Sequence, residues 1–389
     1  MIELPHKTFK AAAAMALSVV ERRNSIPILD ALKVRANGAL SVTGTDLDIE
    51  VTATVPYEGK PTTFVLPSPR PLLASVAAAG GDIVNMAVGD ALALSAGPLK
   101  MQVRLPHSPE DFPALSPVES RANFSGTLGV EAIDQILKVA TAASVDANRY
   151  YLHGIYFERL GDWSYRATAT DGHRLIYADL AIPDGGGLED GILIPRKVIS
   201  LLARLRRQAT DGIHMSVRGQ VLANREDTTA PARRALPRIL FAAGIGEMSV
   251  EVDCKVIDGT FPDYRRVIPA NYTETAVVDA GHLLRAARAV GAGARRPCVT
   301  LTFLNSAIRV GSTWVDAGAT AAVDVTARHN VPIDAQIGVN GEYLASVVSA
   351  VAGDTVALSL ASDHRDSSPI LLRDPDACAM CAVLMPMRF

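Results

Sequence analysis

Apolar and polar residues follow one another along this chain in blocks whose period changes, and the changes mark its elements. From Lys7 to Val20 the pattern suits a helix. From Ala31 the stretch "ALKVRANGALSVTGTDLDIEV" alternates with period two around Asn37-Gly38, a dipeptide suited to a tight hairpin turn. A helix followed by two strands is therefore expected. The same succession returns at 130–144, "VEAIDQILKVATAAS", before "LHGIYFERLGDWSYRATATDGHRLIYADL". It returns again at 280–296, "AGHLLRAARAVGAGARR", before "CVTLTFLNSAIRVGSTW". A second helix recurs as "LPSPRPLLASVAAAG" from Leu66, "IPRKVISLLARLRRQ" from Ile194 and "VNGEYLASVVSAVAG" from Val339. Each opens with Pro, Ser or Asn, which suit a helix N-terminus.

A plan that occurs three times predicts three similar α+β domains, each with two helices and about eight strands. The domains are expected at 1–122, 123–252 and 253–389, with "EDFPALSP" (110–117) and "GTFPDYRRVIP" (259–269) as matching connectors. The length of 389 residues agrees, because one ordinary core does not organise so long a chain. A net charge of −3 leaves no overall basic signature, so any grip on nucleic acid must come from a local face.

Four cysteines are too few for a disulfide framework at this length. Cys378 and Cys381 have redox or zinc spacing, but they lie in a strand-like run that points them to opposite faces. They read as packing residues, like Cys254 and Cys298, and no metal or cofactor is expected. The alanine-rich run at 11–20 is too short to span a bilayer and continues into Glu21-Arg22-Arg23-Asn24 rather than a cleavage site. It reads as an amphipathic opening helix, and a cytoplasmic location without membrane contact is expected.

"ATDGHRL" at 169–175 places a hydroxyl, an acid and a histidine within four residues. An acid–base pair of Asp171 and His173 is one reading. No nucleophile elbow, phosphate loop or metal cluster accompanies it. Thr45-Asp46 stands at the corresponding place in the first repeat with different neighbours. Thr and Asp bond their own backbone at turns, so the pair reads as structural and the protein as a non-enzyme.

Several strings in order resemble the bacterial DNA polymerase III β subunit, the β sliding clamp. They are "NSIPILDALKV" (24–34), "TGTDLDIEV" (43–51), "NRYYLHGIYFE" (148–158), "ATDGHRL", "LIPRKVI" (193–199), "DGTFPDYRRVIP" (258–269) and "LMPMRF" (384–389). The resemblance implies the DNA-clamp fold: three domains, each with two helices and two antiparallel sheets, dimerising head to tail into a six-domain ring. It implies a processivity factor that encircles double-stranded DNA without sequence preference. Through short peptide motifs it would tether DNA polymerase subunits, the clamp loader and repair proteins. The alternative within the family is a paralogue that sequesters partners without serving as the main replicative clamp.

The helix at 194–208 suits that task. Val198, Leu201, Leu202 and Leu205 form one stripe, and Arg196, Lys197, Arg204 and Arg207 lie opposite. Arg285 and Arg288 likewise share a face. Such cations read no base sequence, and weak salt-sensitive contacts permit sliding. By matching strings, the DNA-facing residues are Arg23, Arg149, Tyr150, Tyr151, Arg196 and Lys197. The family's peptide pocket carries over to Leu152, Thr170, Gly172, His173, Arg174 and Leu175 of the middle domain. From the connector come Pro262, Arg266 and Val267. The last domain supplies Asn340, Tyr343, Ser368, Val383, Leu384, Met385, Pro386, Met387 and Arg388. Methionine adapts to differently shaped ligands, which helps one groove serve several partners.

Three departures from the family pattern stand out. The stretch 228–246 is longer than usual and reads as an extended loop or elongated hairpin. Arg296 or Pro297 falls where the pocket normally has a bulky apolar residue. The acidic run near the dimer edge is replaced by "VDAGATAAVDV" (315–325), which keeps only Asp316 and Asp324, and Val290-Gly291 offers little apolar bulk beside it.

Overall fold

The computed structural model describes residues 1–389 except 116–121, 189, 220–236, 270–271, 292–297, 315–317, 363–366, 378 and 389. The first third forms β1 (Ile2–Pro5), α1 (His6–Ala16), β2 (Leu32–Ala36), β3 (Ala39–Thr45) and β4 (Ile49–Pro56). It continues with β5 (Thr62–Leu66), α2 (Pro69–Ala79), β6 (Ile83–Val88), β7 (Leu92–Ala96) and β8 (Leu99–Val103). The middle third forms β9 (Ala122–Leu128), α3 (Val130–Val139), β10 (Gly154–Gly161), β11 (Ser164–Thr170) and β12 (Arg174–Ala181). After the two-residue β13 (Gly186–Gly187) come β14 (Ile192–Pro195), α4 (Arg196–Arg206), β15 (Ile213–Arg218), β16 (Arg238–Ile245) and β17 (Met248–Lys255). The last third forms β18 (Glu274–Asp279), α5 (Ala280–Gly291), β19 (Cys298–Phe303), β20 (Ala307–Trp314) and β21 (Ala319–His329). It ends with β22 (Gln336–Asn340), α6 (Gly341–Val351), β23 (Thr355–Leu360), β24 (Ile370–Arg373) and β25 (Met380–Leu384).

The order of strand, helix, strands, helix, strands repeats in each third, and so does the antiparallel pairing. β1 pairs with β6 as β9 does with β15 and β18 with β23. β2 pairs with β5 as β10 does with β14 and β19 with β22. The chain divides into two compact units. The first comprises 1–130, 183–189 and 200–256 and holds a four-stranded sheet, β1-β6-β7-β8, and a nine-stranded one, β13-β9-β15-β16-β17-β4-β3-β2-β5. The second comprises 131–182, 190–199 and 257–389. Its twelve-stranded sheet runs β14-β10-β11-β12-β25-β24-β23-β18-β21-β20-β19-β22.

The opening helix ends at Ala16, earlier than the expected Val20. The Leu17 amide still bonds to the Ala13 carbonyl, and the Ser18 hydroxyl turns back to the Met15 carbonyl. Alanines at 12, 13 and 16 are buried and let the helix lie close to the sheet. A side chain on Gly44 of β3 would meet the Ala16 carbonyl oxygen at 2.4 Å. In α4, Val198, Leu201, Leu202 and Leu205 are buried while Arg196 and Arg207 are exposed, as the stripe predicts.

The stretch 31–51 enters three strands, not two, because a second turn at Thr45-Asp46 separates β3 from β4. The buried Thr45 hydroxyl donates to the Ile49 carbonyl at 2.9 Å and accepts the Leu47 amide at 3.1 Å. Asp46 Oδ1 accepts the amides of Asp48 and Ile49 at 3.0 and 2.7 Å. Between β11 and β12 the same four bonds recur. Thr170 donates to the Arg174 carbonyl at 2.7 Å and accepts the Gly172 amide at 3.1 Å. Asp171 Oδ1 accepts the amides of His173 and Arg174 at 2.9 and 3.0 Å. The Thr-Asp pair is thus a self-contained backbone device.

Part of the stretch read as an extended loop or elongated hairpin is strand. Residues 238–245 form β16, paired on both sides with β15 and β17, whereas 228–236 lie outside the described residues. A run of buried apolar positions, Ile239, Phe241 and Ala243, explains the strand. Cys254 and Cys381 are buried and Cys298 half-buried, all as free thiols, while Cys378 lies outside the described residues. Val290 is also buried, and its carbonyl accepts the Trp314 indole N–H at 3.0 Å, so it serves the core of its own repeat.

The third turn position is left-handed in both copies, with φ 80° at Leu47 and 89° at Gly172. Left-handed backbone costs a residue with a Cβ about 1–2 kcal/mol. G172A is therefore expected to lower stability by about 1 kcal/mol in urea denaturation. L47G, relieved of the same strain, should cost markedly less than an ordinary strand-end leucine-to-glycine change.

Candidate functional site

The second unit contains an apolar cavity of about 160 Å³. The pairing of β12 with β25 builds it, for Leu175 stands opposite Val383 in that ladder. The chain leaving β25 stays alongside, because the Met385 amide bonds to the His173 carbonyl at 2.9 Å. Thr170, Gly172, Arg174 and Leu175 line the cavity from the β11–β12 turn, and Val383 and Met385 from the tail. Leu152 closes it from a short 3-10 segment (Ala147–Leu152). The connector supplies Pro262, Asp263, Tyr264 and Val267. Leu152, Leu175 and Val383 belong to a buried cluster that includes Leu193, Phe261 and Leu371, so the walls are fixed by packing.

A second, polar cavity of about 340 Å³ shares Arg174 with the first. Arg149, Asp146, Asp171, His173, Arg196 and Tyr343 line it together with Thr141 and residues 143–145. The Arg174 guanidinium reaches Asp171 Oδ2 at 3.1 Å and the Thr141 carbonyl at 2.7 Å, and lies 4.7 Å from the centre of the Tyr343 ring. His173 stacks on the same aromatic ring, its centre 6.0 Å from that of Tyr343. Arg149 lies 3.6 Å from Asp146 and donates to the Asp171 carbonyl at 3.3 Å. Arg196 has no carboxylate partner among the described residues, which leaves this cavity a surplus of positive charge.

Not every sequence-predicted residue joins these cavities. Leu384 is fully buried and registers with Arg174 in the ladder, so it serves the sheet. Asn340 caps α6: its Oδ1 accepts the amides of Glu342 and Tyr343 at 2.9 and 3.1 Å, which sets the first turn that carries Tyr343. Arg266 is exposed and paired with Asp263 at 2.9 Å. Pro386 and Met387 are half-buried, the Met387 amide bonding to the Gly338 carbonyl, and Arg388 is exposed. Ser368 is half-buried outside both linings. Arg296, Pro297 and Asp316 lie outside the described residues. Asp263 and Tyr264 were missed by sequence reasoning, although both lie inside the string "DGTFPDYRRVIP".

Among the DNA-facing candidates, Arg149 and Arg196 meet at the polar cavity. Tyr150 is exposed and sits edge-on to Tyr151, their rings 5.8 Å apart, while Tyr151 packs against the apolar cluster. Lys197 is half-buried, and Arg23 is exposed in the first unit. On α4, burial and the charge of Arg207 hold the Arg204 guanidinium below its usual pKa. Arg285 and Arg288 are both exposed on α5.

The first repeat carries the same turn with different walls. The Lys255 amide bonds to the Asp48 carbonyl at 2.9 Å, as Met385 does to His173. Where Leu175 faces Val383, however, Glu50 faces Asp253. Burial raises the pKa of both carboxyls, partly countered for Glu50 by the Leu115 amide and for Asp253 by Arg238. In place of the methionine, Lys255 forms an ion pair with Asp48 at 3.0 Å. The flanking side chains, not the turn, therefore make the apolar site. Among the described residues no group of His, Cys, Asp or Glu could hold a metal ion, and no helix is long and apolar enough to cross a membrane.

Three family models match the chain in tandem. They are the N-terminal domain of the DNA polymerase III beta subunit at residues 4–115, its central domain at 130–263 and its C-terminal domain at 265–388. A beta sliding clamp of Caulobacter vibrioides is 30% identical over 388 residues, covering 95% of each chain. That of Escherichia coli K12 is 28% identical over 379 residues, covering 94% of this chain and 93% of the relative. The crystal structure of the C. crescentus beta sliding clamp superposes with a TM-score of 0.87 at 28% identity, covering 100% of this chain and 99% of that one. A Bartonella birtlesii DnaN sliding clamp bound to griselimycin gives 0.85 at 27% identity, with coverage of 100% and 99%.

Arg174 joins the two cavities, so its removal should be felt in the fold. R174A is expected to lower stability by about 2 kcal/mol in urea denaturation, since it deletes charge-assisted bonds from a side chain largely out of water. R174K should recover less than half of that, because an ammonium cannot reproduce the guanidinium's planar fork.

Proposed function

This chain belongs to the DNA polymerase III β-subunit family, the β sliding clamps, and from that premise we propose how its own residues serve a replication processivity factor. The protein encircles duplex DNA as a ring of two copies and tethers its partners to the template. The observation that carries the reading is the tandem match of all three domains in order over almost the whole chain. Domain boundaries near residues 122 and 252 follow the threefold plan. The work is non-catalytic and takes place with DNA in the cytoplasm.

Arg196, Lys197, Arg149, Tyr150, Tyr151 and Arg23 are the proposed DNA contacts, with Arg204, Arg207, Arg285 and Arg288 adding cations on helix surfaces. Point contacts to phosphates hold a duplex loosely and ignore its sequence, which suits sliding. The apolar cavity between the β11–β12 turn, the tail and the connector is the proposed peptide pocket. Its small volume and apolar walls suit leucine- or phenylalanine-sized anchors from polymerase subunits, the clamp loader and repair proteins. His173, Arg174 and Tyr343 extend it with polar contacts.

Ring closure follows from the sheet order. The strand that ends one half of a repeat pairs with the last strand of the next repeat: β4 with β17, and β12 with β25. Extended once more, the rule pairs β21 with β8 of a second copy, and β8 bonds only to β7 among the described residues. A head-to-tail dimer would use the free side of β8 and the stretch 319–326 of β21, which pairs with β20 and not with β18, so neither stays open to aggregation.

Two tests follow. Protein loaded on a nicked circle should persist at moderate salt and leave once the circle is linearised. Equal loss from both substrates would reject the ring and favour a clamp-fold protein that sequesters partners. The second test concerns closure by β21 and β8. Asp324 on β21 is already held by Arg309 through bonds of 2.7 and 2.8 Å, so it is poorly available to a second copy. The dimer should therefore dissociate on dilution with a constant that changes less than about threefold between low and high salt. Sedimentation across a dilution series measures this, and steep weakening by salt would contradict it.

A further inference from the structure

One wall of the apolar cavity belongs to no sheet. The connector 258–268 brings Pro262, Asp263, Tyr264 and Val267 to the cavity, and its regular structure is a single 3-10 turn, Tyr264–Val267. The chain enters with the Ile257 amide on the Leu193 carbonyl at 3.0 Å. Beyond that point, among the described residues, no backbone bond ties 258–268 to a strand. The backbone bonds there, from Arg266 to Asp263 and from Ile268 to Arg265, stay within the turn itself.

Side chains must therefore hold this wall, and one group holds two successive residues of it. Glu158 of β10 is 8% exposed, uncommon for a carboxylate. Its Oε1 accepts the Tyr264 hydroxyl at 2.5 Å, and its Oε2 accepts Arg265 Nη2 at 2.7 Å. The guanidinium of Arg265 lies 5.0 Å from the centre of the Tyr264 ring, so the three groups form one cluster. Arg166, directly opposite Glu158 in the β10–β11 ladder, bonds both oxygens of Asp179 and also reaches the Tyr264 hydroxyl, so it joins the same cluster without pairing with Glu158. The cation paired with Glu158 is Arg265, and it comes from the connector. Phe261, stacked on Tyr156 at 5.0 Å, adds an apolar hold but no directional one.

We propose that Glu158 is a positioning residue for the peptide pocket: by binding Tyr264 and Arg265 it fixes the connector wall against which a partner peptide packs. Glu158 itself does not line the cavity. A loose wall must be ordered by the incoming peptide, which costs affinity, whereas an anchored wall is ready before binding. The proposal rests on the reading of the apolar cavity as the peptide pocket.

The test measures binding of a fluorescent hexapeptide carrying Gln followed by Leu and Phe anchors, together with retention on nicked circular DNA. E158A should weaken the peptide about tenfold, the scale of one lost charge-assisted bond. E158Q still accepts the Tyr264 hydroxyl and should lose only about threefold. Both should stay on circular DNA like the parent protein. V310A, a core truncation in β20, controls for general loss of stability and should bind the peptide normally. Parent-like affinity in E158A, or an equal loss in V310A, would overturn the positioning role. If E158A does not fold, E158Q with Y264F decides: their effects on affinity should be less than additive, and full additivity would overturn the proposal. A parent protein that binds no such peptide would reject the pocket reading itself, a result distinct from the others.

Discussion

The ladder between β12 and β25 is the interaction on which the functional site depends. It joins a strand of the middle repeat to the last strand of the chain, far apart in sequence, and sets Leu175 against Val383. From that register the rest follows. The Thr170–Arg174 turn must project at the ladder's end, and Met385 must run beside it. A slip of one residue would place Leu175 and Val383 on opposite faces of the sheet and abolish the apolar cavity. The two β-strands therefore specify a pocket rather than merely continue a sheet.

The same ladder geometry occurs in the first repeat, where it makes something different. Glu50 and Asp253 occupy the facing positions, and burial raises the pKa of each. A protonated carboxyl is favoured by the fold relative to the unfolded chain, so this junction gains stability as pH falls toward the raised values and loses it as pH rises. One backbone plan, repeated, has been given an apolar lining at one place and a charged one at another.

Much of this was legible in the sequence because it depends on local pattern. Helical stripes in α4, the Asn340 cap and the Thr-Asp turns all follow from residues near one another. The threefold order of elements emerged from recurrence alone. What escaped depends on partners distant in sequence. Leu384 looks like a pocket residue in its tail string, yet its side chain belongs to the sheet because strand alternation sends neighbours to opposite faces. The meeting of Arg149 and Arg196 at one polar cavity could not be read from spacing, and neither could the hold of Glu158 on Tyr264. The close approach of Ala16 in α1 to Gly44 in β3 is likewise a contact between residues distant in sequence.

Hydrogen exchange on the dimer with and without a peptide carrying Gln and apolar anchors tests the central claim most directly. Amides of Gly172, His173 and Met385, and of the connector turn Tyr264–Val267, should exchange more slowly with peptide bound. The matching turn Thr45–Ile49, with its charged walls, serves as an internal control and should be unchanged. Protection at the first-repeat turn, or peptide binding that leaves both the tail and the connector unprotected, would contradict a pocket built on the β12–β25 ladder.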